Sequence, residues 1–284
     1  MNIGLTQDTA NRAAGLDASP GMSAPEATWA APQAVPGSGV LGIWRLGQPV
    51  HAGTRSQLWT AQPADAPGNT RWDYLVRVGS RAAGQDREET VQSLRRFAHA
   101  AAAAQDPHLI SVLDASLDSA EPFLVMPRLP GRSLRELLTE SGGQPLAVAL
   151  WWIRQTAQAT AALHRAGHSH ADIRPENVWI SPRGTATLID LGSSSSIAAS
   201  LATAAGDVFA IGRVLWELLA HISVLPGQQA VLGSIADLVA ETMSPELCER
   251  PTADDLVRRV NQLEIESLNA HIRPAGQELA SRAA

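Results

Sequence analysis

Lysine is missing from this chain. All 22 basic side chains are arginines, so chemistry that rests on an ε-ammonium group is excluded. Cysteine occurs once, at Cys248, so no intrachain disulfide can form and a reducing compartment is expected. A basic stripe is also missing. The formal net charge is -6 and the pI about 5.7, which argues against a nucleic-acid or anionic-membrane partner. The longest apolar stretch, 146–163, is interrupted by Arg154, Gln155 and Gln158, so no membrane span is expected. The chain does not open on basic residues followed by an apolar run, so no signal peptide is expected. A soluble, cytoplasmic protein is the default expectation. No internal repeat is visible.

What remains is enough for a sizeable core. At 284 residues the chain can form one large domain or two lobes. Residues 1–39 are rich in Ala, Pro, Gly, Ser and Thr and read as a disordered tail, with Trp29 isolated inside it. Order begins near Val40. Short alternating runs at 42–50, 57–62 and 72–78 predict antiparallel strands bounded by Gly, Pro and Asp turns. Residues 86–104 predict a helix that Asp106-Pro107 stops. Two more strands are predicted at 110–115 and 122–126.

From Ser133 onward the periodicity changes. Leu146, Leu150, Ile153, Ala157, Ala161 and His164 recur at three- and four-residue spacing, as do Val208, Ile211, Leu215, Leu218 and Leu219. Residues 234–242 and 252–268 complete a helical half, and 269–284 form a C-terminal tail. The fold class is therefore α+β: a small antiparallel-sheet lobe over 40–128, a larger helical lobe over 129–268, and a ligand cleft between them.

Two motifs carry chemistry. His170-Ala171-Asp172-Ile173-Arg174-Pro175-Glu176-Asn177 is followed by Leu188-Ile189-Asp190-Leu191-Gly192. Together they resemble the catalytic loop and metal-binding loop of the protein kinase family, joined by its short hairpin. The resemblance covers 41–268. Asp207-Val208-Phe209-Ala210-Ile211-Gly212 resembles the start of that family's central helix, whose aspartate braces the catalytic loop. Glu249-Arg250-Pro251-Thr252 resembles its final-helix signature. The match implies that Asp172 orients and deprotonates a substrate hydroxyl, that Arg174 stands in the usual lysine position, and that Asn177 and Asp190 hold Mg²⁺ against ATP phosphates. It further implies an ATP site lined by Gly53, Leu58, Leu75, Arg77, Met126, Leu129 and Trp179. Met126-Pro127-Arg128-Leu129 resembles the hinge, with the Leu129 N–H turned to the adenine edge.

The departures are as informative. His51, Gly53 and Ser56 occupy the three glycine positions of the phosphate-covering loop. Arg77 replaces the ATP-anchoring lysine, an exchange that is not conservative at a phosphate clamp. Phe97 replaces the glutamate that would orient it, so both members of that ion pair are gone together. Leu75 and Trp179 add volume above and below the adenine slot. Residues 193–206 are too short to dock a protein substrate and lack an Ala-Pro-Glu ending. Arg250 then needs a substitute acid or solvent as its partner.

Three readings follow. The first is a pseudokinase that acts by binding a protein partner. The second is a weakly active ATP- and Mg²⁺-dependent Ser/Thr protein kinase. The third rests on His168-Ser169-His170-Ala171-Asp172, which has the H-x-H-x-D spacing of zinc-dependent metallo-β-lactamase-like hydrolases. That family has a further histidine where Ile173 stands, and its motif follows a strand instead of a helix.

Overall fold

The computed structural model describes residues 39–52, 56–66, 68–79, 87–140, 143–193, 195–196 and 201–272. The N-terminal tail with Trp29, and Gly53, lie outside them.

Six strands form one antiparallel sheet. They are β1 (Val40–Leu41), β2 (Trp44–Ala52), β3 (Ser56–Pro63), β4 (Tyr74–Gly79), β5 (Asp114–Ser116) and β6 (Phe123–Pro127), in the order β1-β2-β3-β4-β6-β5. Pro49 has no N–H to give the ladder, and the β2–β3 register shifts on either side of it. The predicted strand at 110–115 is realised only as β5; residues 110–113 are irregular. The single helix among the described residues of this lobe, α1 (Arg87–Ala103), opens with Glu88 and Glu89 where the helix dipole favours acids. Its buried face of Thr90, Val91, Leu94, Phe97, Ala100 and Ala101 turns inward.

The remainder is helical, with short ladders that position loops. β7 (Arg132–Ser133) leads into α2 (Leu134–Thr139), where Ser133 and Glu136 form a reciprocal capping box. β8 (Gln144–Pro145) precedes α3 (Leu146–Arg165), which is buried on most of its faces. After α3 come β9 (His168–Ser169), the hairpin β10 (Val178–Ile180) and β11 (Ala186–Leu188), and β12 (Ser195–Ser196), which pairs with β9. Then follow α4 (Leu201–Leu219), β13 (Ile222–Ser223), α5 (Gln229–Thr242) and α6 (Ala253–Ile272). Leu150, Ile153 and Leu163 of α3, Ile211, Leu215 and Leu218 of α4, and Leu256 and Val260 of α6 belong to one buried cluster. The architecture is a two-lobed α+β fold, as the patterning predicted. No described helix is long and apolar enough to cross a membrane.

Candidate active site

Helix α3 ends on Gly167, whose φ of 80° is the left-handed turn expected there. The chain then enters a loop that Asp207 holds from below. Asp207 is 1% exposed. Its carboxylate accepts the backbone N–H of His170 and of Ala171, each at 2.8 Å, and faces His164 Nε2 at 2.9 Å. Ala171 is thereby kept at φ 63°, a conformation that L-residues adopt only at a cost. His170 is fully buried. The Asp172 N–H donates to its Nδ1 at 3.2 Å, so Nε2 carries the proton and donates to the Ile189 carbonyl at 2.9 Å. Burial pushes its pKa down, against the pull of Asp207 and neighbouring acids, and the ring is neutral. Both nitrogens are engaged, which leaves the zinc-hydrolase reading without His170 as a ligand. Among the described residues no group of three or more His, Cys, Asp or Glu is placed to hold a metal ion.

Asp172 and Asn177 are brought together. Asn177 Nδ2 donates to the Asp172 carbonyl at 2.8 Å and to its Oδ2 at 2.9 Å. The Asn177 carbonyl accepts from the Ile189 N–H at 2.9 Å, which joins the loop to the segment carrying Asp190. Arg174 points elsewhere: its Nε lies 3.1 Å from Glu176, which also accepts from Arg135. Arg135 in turn pairs with Glu217 of α4, and these acids push its already high pKa higher still.

Asp190, also at φ 63°, is claimed from the sheet lobe. Arg77 Nη1 donates to Asp190 Oδ1 at 2.6 Å, with the two side chains 18% and 37% exposed. Burial alone would raise the Asp190 carboxyl, but the Arg77 charge and hydrogen bond, with the Gly192 N–H, outweigh it and hold the pKa below the ordinary value. Beneath Arg77, where a carboxylate would sit in an ion pair, lies Phe97. Its ring is buried, with the guanidinium carbon 5.2 Å from the centroid. The buried Arg77 Nε has no hydrogen-bond partner among the described residues. Helix α1 is locked onto this corner by Ser93, whose hydroxyl donates to the Gly192 carbonyl at 2.9 Å.

Four of the residues expected around a nucleotide lie on neighbouring strands. Leu75 pairs with Met126 across β4 and β6, and Leu58 pairs with Arg77 across β3 and β4. Met126 is buried, while Leu58, Leu75 and Leu129 pack against the main core at its edge. The Arg128 N–H is taken by the Asp73 carbonyl at 2.8 Å, whereas the Leu129 N–H has no acceptor among the described residues. Trp179 is half-buried and its Nε1 donates to the Pro130 carbonyl at 3.2 Å, which ties it to the hinge. Gly131 follows at φ 118°, and a Cβ there would lie 2.1 Å from the Ile180 carbonyl oxygen. Only glycine permits that approach.

A protein kinase domain model matches residues 81–205. The Ser/Thr protein kinase PknL of Mycobacterium tuberculosis is 31% identical over 225 residues, covering 64% of this chain and 56% of that protein. A probable Ser/Thr kinase of Bifidobacterium longum, pknA2, is 28% identical over 246 residues, covering 69% of this chain and 32% of its own. PrkC of Bacillus subtilis is 27% identical over 179 residues, covering 55% of this chain and 28% of its own. These matches support a place for the chain in the protein kinase superfamily. It spans just over half the length of PknL, and a smaller share of the other two.

Within that family the site departs at the metal. Of the two expected ligands, Asp190 already carries a guanidinium on Oδ1, while Asn177 spends only its amide nitrogen on Asp172 and keeps its oxygen for a metal. A divalent ion on Asp190 would sit against a full positive charge, so the residues as arranged do not fit Mg²⁺. The substrate side departs too. Helix α4 starts at Leu201, six residues ahead of Asp207, so helix occupies ground where kinases present a peptide-docking segment. Where sequence left Arg250 to a substitute acid or solvent, backbone carbonyls serve it among the described residues. It donates to the Ser244 and Ala205 carbonyls at 2.8 and 3.0 Å and lies over the Phe209 ring. Sequence reasoning also missed Ser93, His164, Arg135 and Glu217. Only His164 left a signal, as the last member of the α3 periodicity on the face turned toward the loop.

Proposed function

We propose that this domain, taken as 40–268, is a pseudokinase: a kinase fold that serves as a protein-binding regulatory module and does not transfer phosphate. The observation that carries this reading is the Arg77–Asp190 ion pair over Phe97. The cation that should grip ATP phosphates and the carboxylate that should grip Mg²⁺ neutralise one another, and the usual anionic partner of that cation is an aromatic ring. The early start of α4 supports the same reading, because a peptide substrate loses its platform. The tail at 1–39 falls outside the domain on this reading, whereas α6 runs on to Ile272, past the start of the C-terminal tail expected at 269–284.

A second reading, a weakly active Ser/Thr kinase, is favoured by one observation. Asn177 holds Asp172 through two hydrogen bonds, the arrangement that phosphotransfer uses to aim a base. Complementation separates the two. A deletion strain should be rescued equally by the natural gene and by Asp172→Ala. Failure of Asp172→Ala to rescue, with the protein present at normal abundance, would favour the kinase.

A further inference from the structure

The sheet lobe has an open seam. Strands β1 and β5 stand first and last in the order of the six-stranded sheet. Trp44 of β2 nevertheless reaches β5, its Nε1 donating to Asp114 Oδ2 at 2.7 Å, so the sheet curls almost into a barrel. A groove of about 640 Å³ separates the two edges. Val40, Leu41 and Ile43 line one wall, and Ala115, Ser116 and Phe123 the other. Independently of the function proposed above, we infer that residues 32–35 fold back along β1 as a further strand and fill this seam.

The first support is an unpaired edge. The Gly39 carbonyl accepts the Leu46 N–H at 2.7 Å, and Leu41 is in register with Trp44. Backbone groups of successive strand residues point to opposite sides. The N–H and carbonyl of Val40 therefore point away from β2 and into the seam, and neither has a partner among the described residues. The facing edge is blunted, since the Ala115 N–H is given to Asp114 Oδ1 at 2.8 Å. A strand that enters the seam pairs with β1.

The second support is apolar surface beside those groups. Val40 is 37% exposed and Ile43 67%, next to the buried Leu41 and Phe123. Val35 set opposite Val40 makes a β-branched cross-strand pair and covers it. Ala34 then falls on the face of Leu41. Pro32 takes the first position of the strand, where a missing N–H is tolerated.

The third support is the connection. Pro36-Gly37-Ser38-Gly39 joins the two segments. Hairpin loops of four residues are most often built around a type I turn, which favours an early proline. Gly39 ends the loop at φ 68°, and a Cβ there would meet nothing within 4 Å, so glycine serves conformation at this point and not space. A loop of this length sets Val35 against Val40, each giving its N–H to the other's carbonyl. Because the segment is tethered at the rim of the groove, its effective concentration there exceeds that of a separate strand. The domain then starts at Pro32, and the tail expected over 1–39 shortens to 1–31.

The test is amide hydrogen exchange followed by NMR on the full chain at two protein concentrations. Slowing of about tenfold or more relative to the unstructured rate is expected at Val35 and Val40. It should be equal at both concentrations. In a variant carrying Gln33→Gly, Ala34→Gly and Val35→Gly, the slowing at Val40 should be lost. Val76, fully buried in the sheet, should keep its own protection and so report that the variant is folded. Exchange at Val35 at the unstructured rate would overturn the inference. Slowing at Val40 that the triple variant retains would overturn it too. Slowing that grows with concentration would assign the seam to a second copy of the chain and overturn it as well.

Discussion

Arg77 donates to Asp190 at 2.6 Å across a separation of 113 residues. The bond joins a strand of the sheet lobe to a loop of the helical lobe. Its geometry is over-determined. Phe97 lies 5.2 Å from the guanidinium carbon, and Ser93 pins the helix that carries Phe97 onto Gly192.

The pair makes stability depend on acid. Asp190 has a folded pKa below its unfolded value, so its contribution is fully present above about pH 4 and is lost as pH falls through the folded pKa. Asp190→Asn removes that titration. Urea unfolding followed from neutral pH downward should therefore show a shallower acid-side loss in Asp190→Asn than in the natural chain. Parallel curves would mean that the pair does not couple to folding.

Phe97 serves the core and the cation at once. Phe97→Ala should destabilise the fold by about 3–5 kcal/mol, because a buried ring is replaced by a cavity. Phe97→Leu keeps most of the volume and should cost about 1 kcal/mol. Denaturant midpoints at constant slope would measure both, and equal losses would show that the ring, and not the volume it fills, is what matters.

Asp207 is a brace instead of a reactant. Its removal strands the N–H groups of His170 and Ala171 in a buried setting. Asp207→Ala should cost about 3 kcal/mol. Hydrogen exchange at those two amides should accelerate more than exchange elsewhere in the loop. Unchanged protection there would refute the bracing role.

Two glycines at positive φ should respond differently to alanine. At Gly131 the added methyl meets the Ile180 carbonyl at 2.1 Å, whereas at Gly167 it meets nothing within 4 Å. Gly167→Ala should cost about 1 kcal/mol, the left-handed penalty alone. Gly131→Ala should cost at least about 2 kcal/mol, because backbone must move as well. Thermal melts of the two variants give the ranking directly.

Much of the fold was legible because periodicity is a local property. The spacing from Leu146 to His164 marks α3, which runs from Leu146 to Arg165. The early start of α4 was not legible. Ala202, Ala204 and Ala205 favour helix, but the interspersed Thr203 and Gly206 and the preceding serines read as loop, and docking onto the lobe decided the outcome. At the site, motif spacing located Asp172, Asn177, Asp190 and Arg77. It did not foresee that Arg77 would close on Asp190 or that Phe97 would lie beneath it, since neither contact is local in sequence. The partner of Arg250 was missed for a related reason: carbonyls of Ser244 and Ala205 are available from any residue type and leave no mark in a sequence.

The most direct measurement is transfer of radiolabelled γ-phosphate from ATP in MgCl₂, to the chain itself and to a mixed peptide library, with Asp172→Ala run beside the natural protein. Incorporation by the natural protein no greater than that by Asp172→Ala is the expected result. Incorporation clearly above that of the variant would contradict the pseudokinase reading and return the domain to the catalytic members of its family.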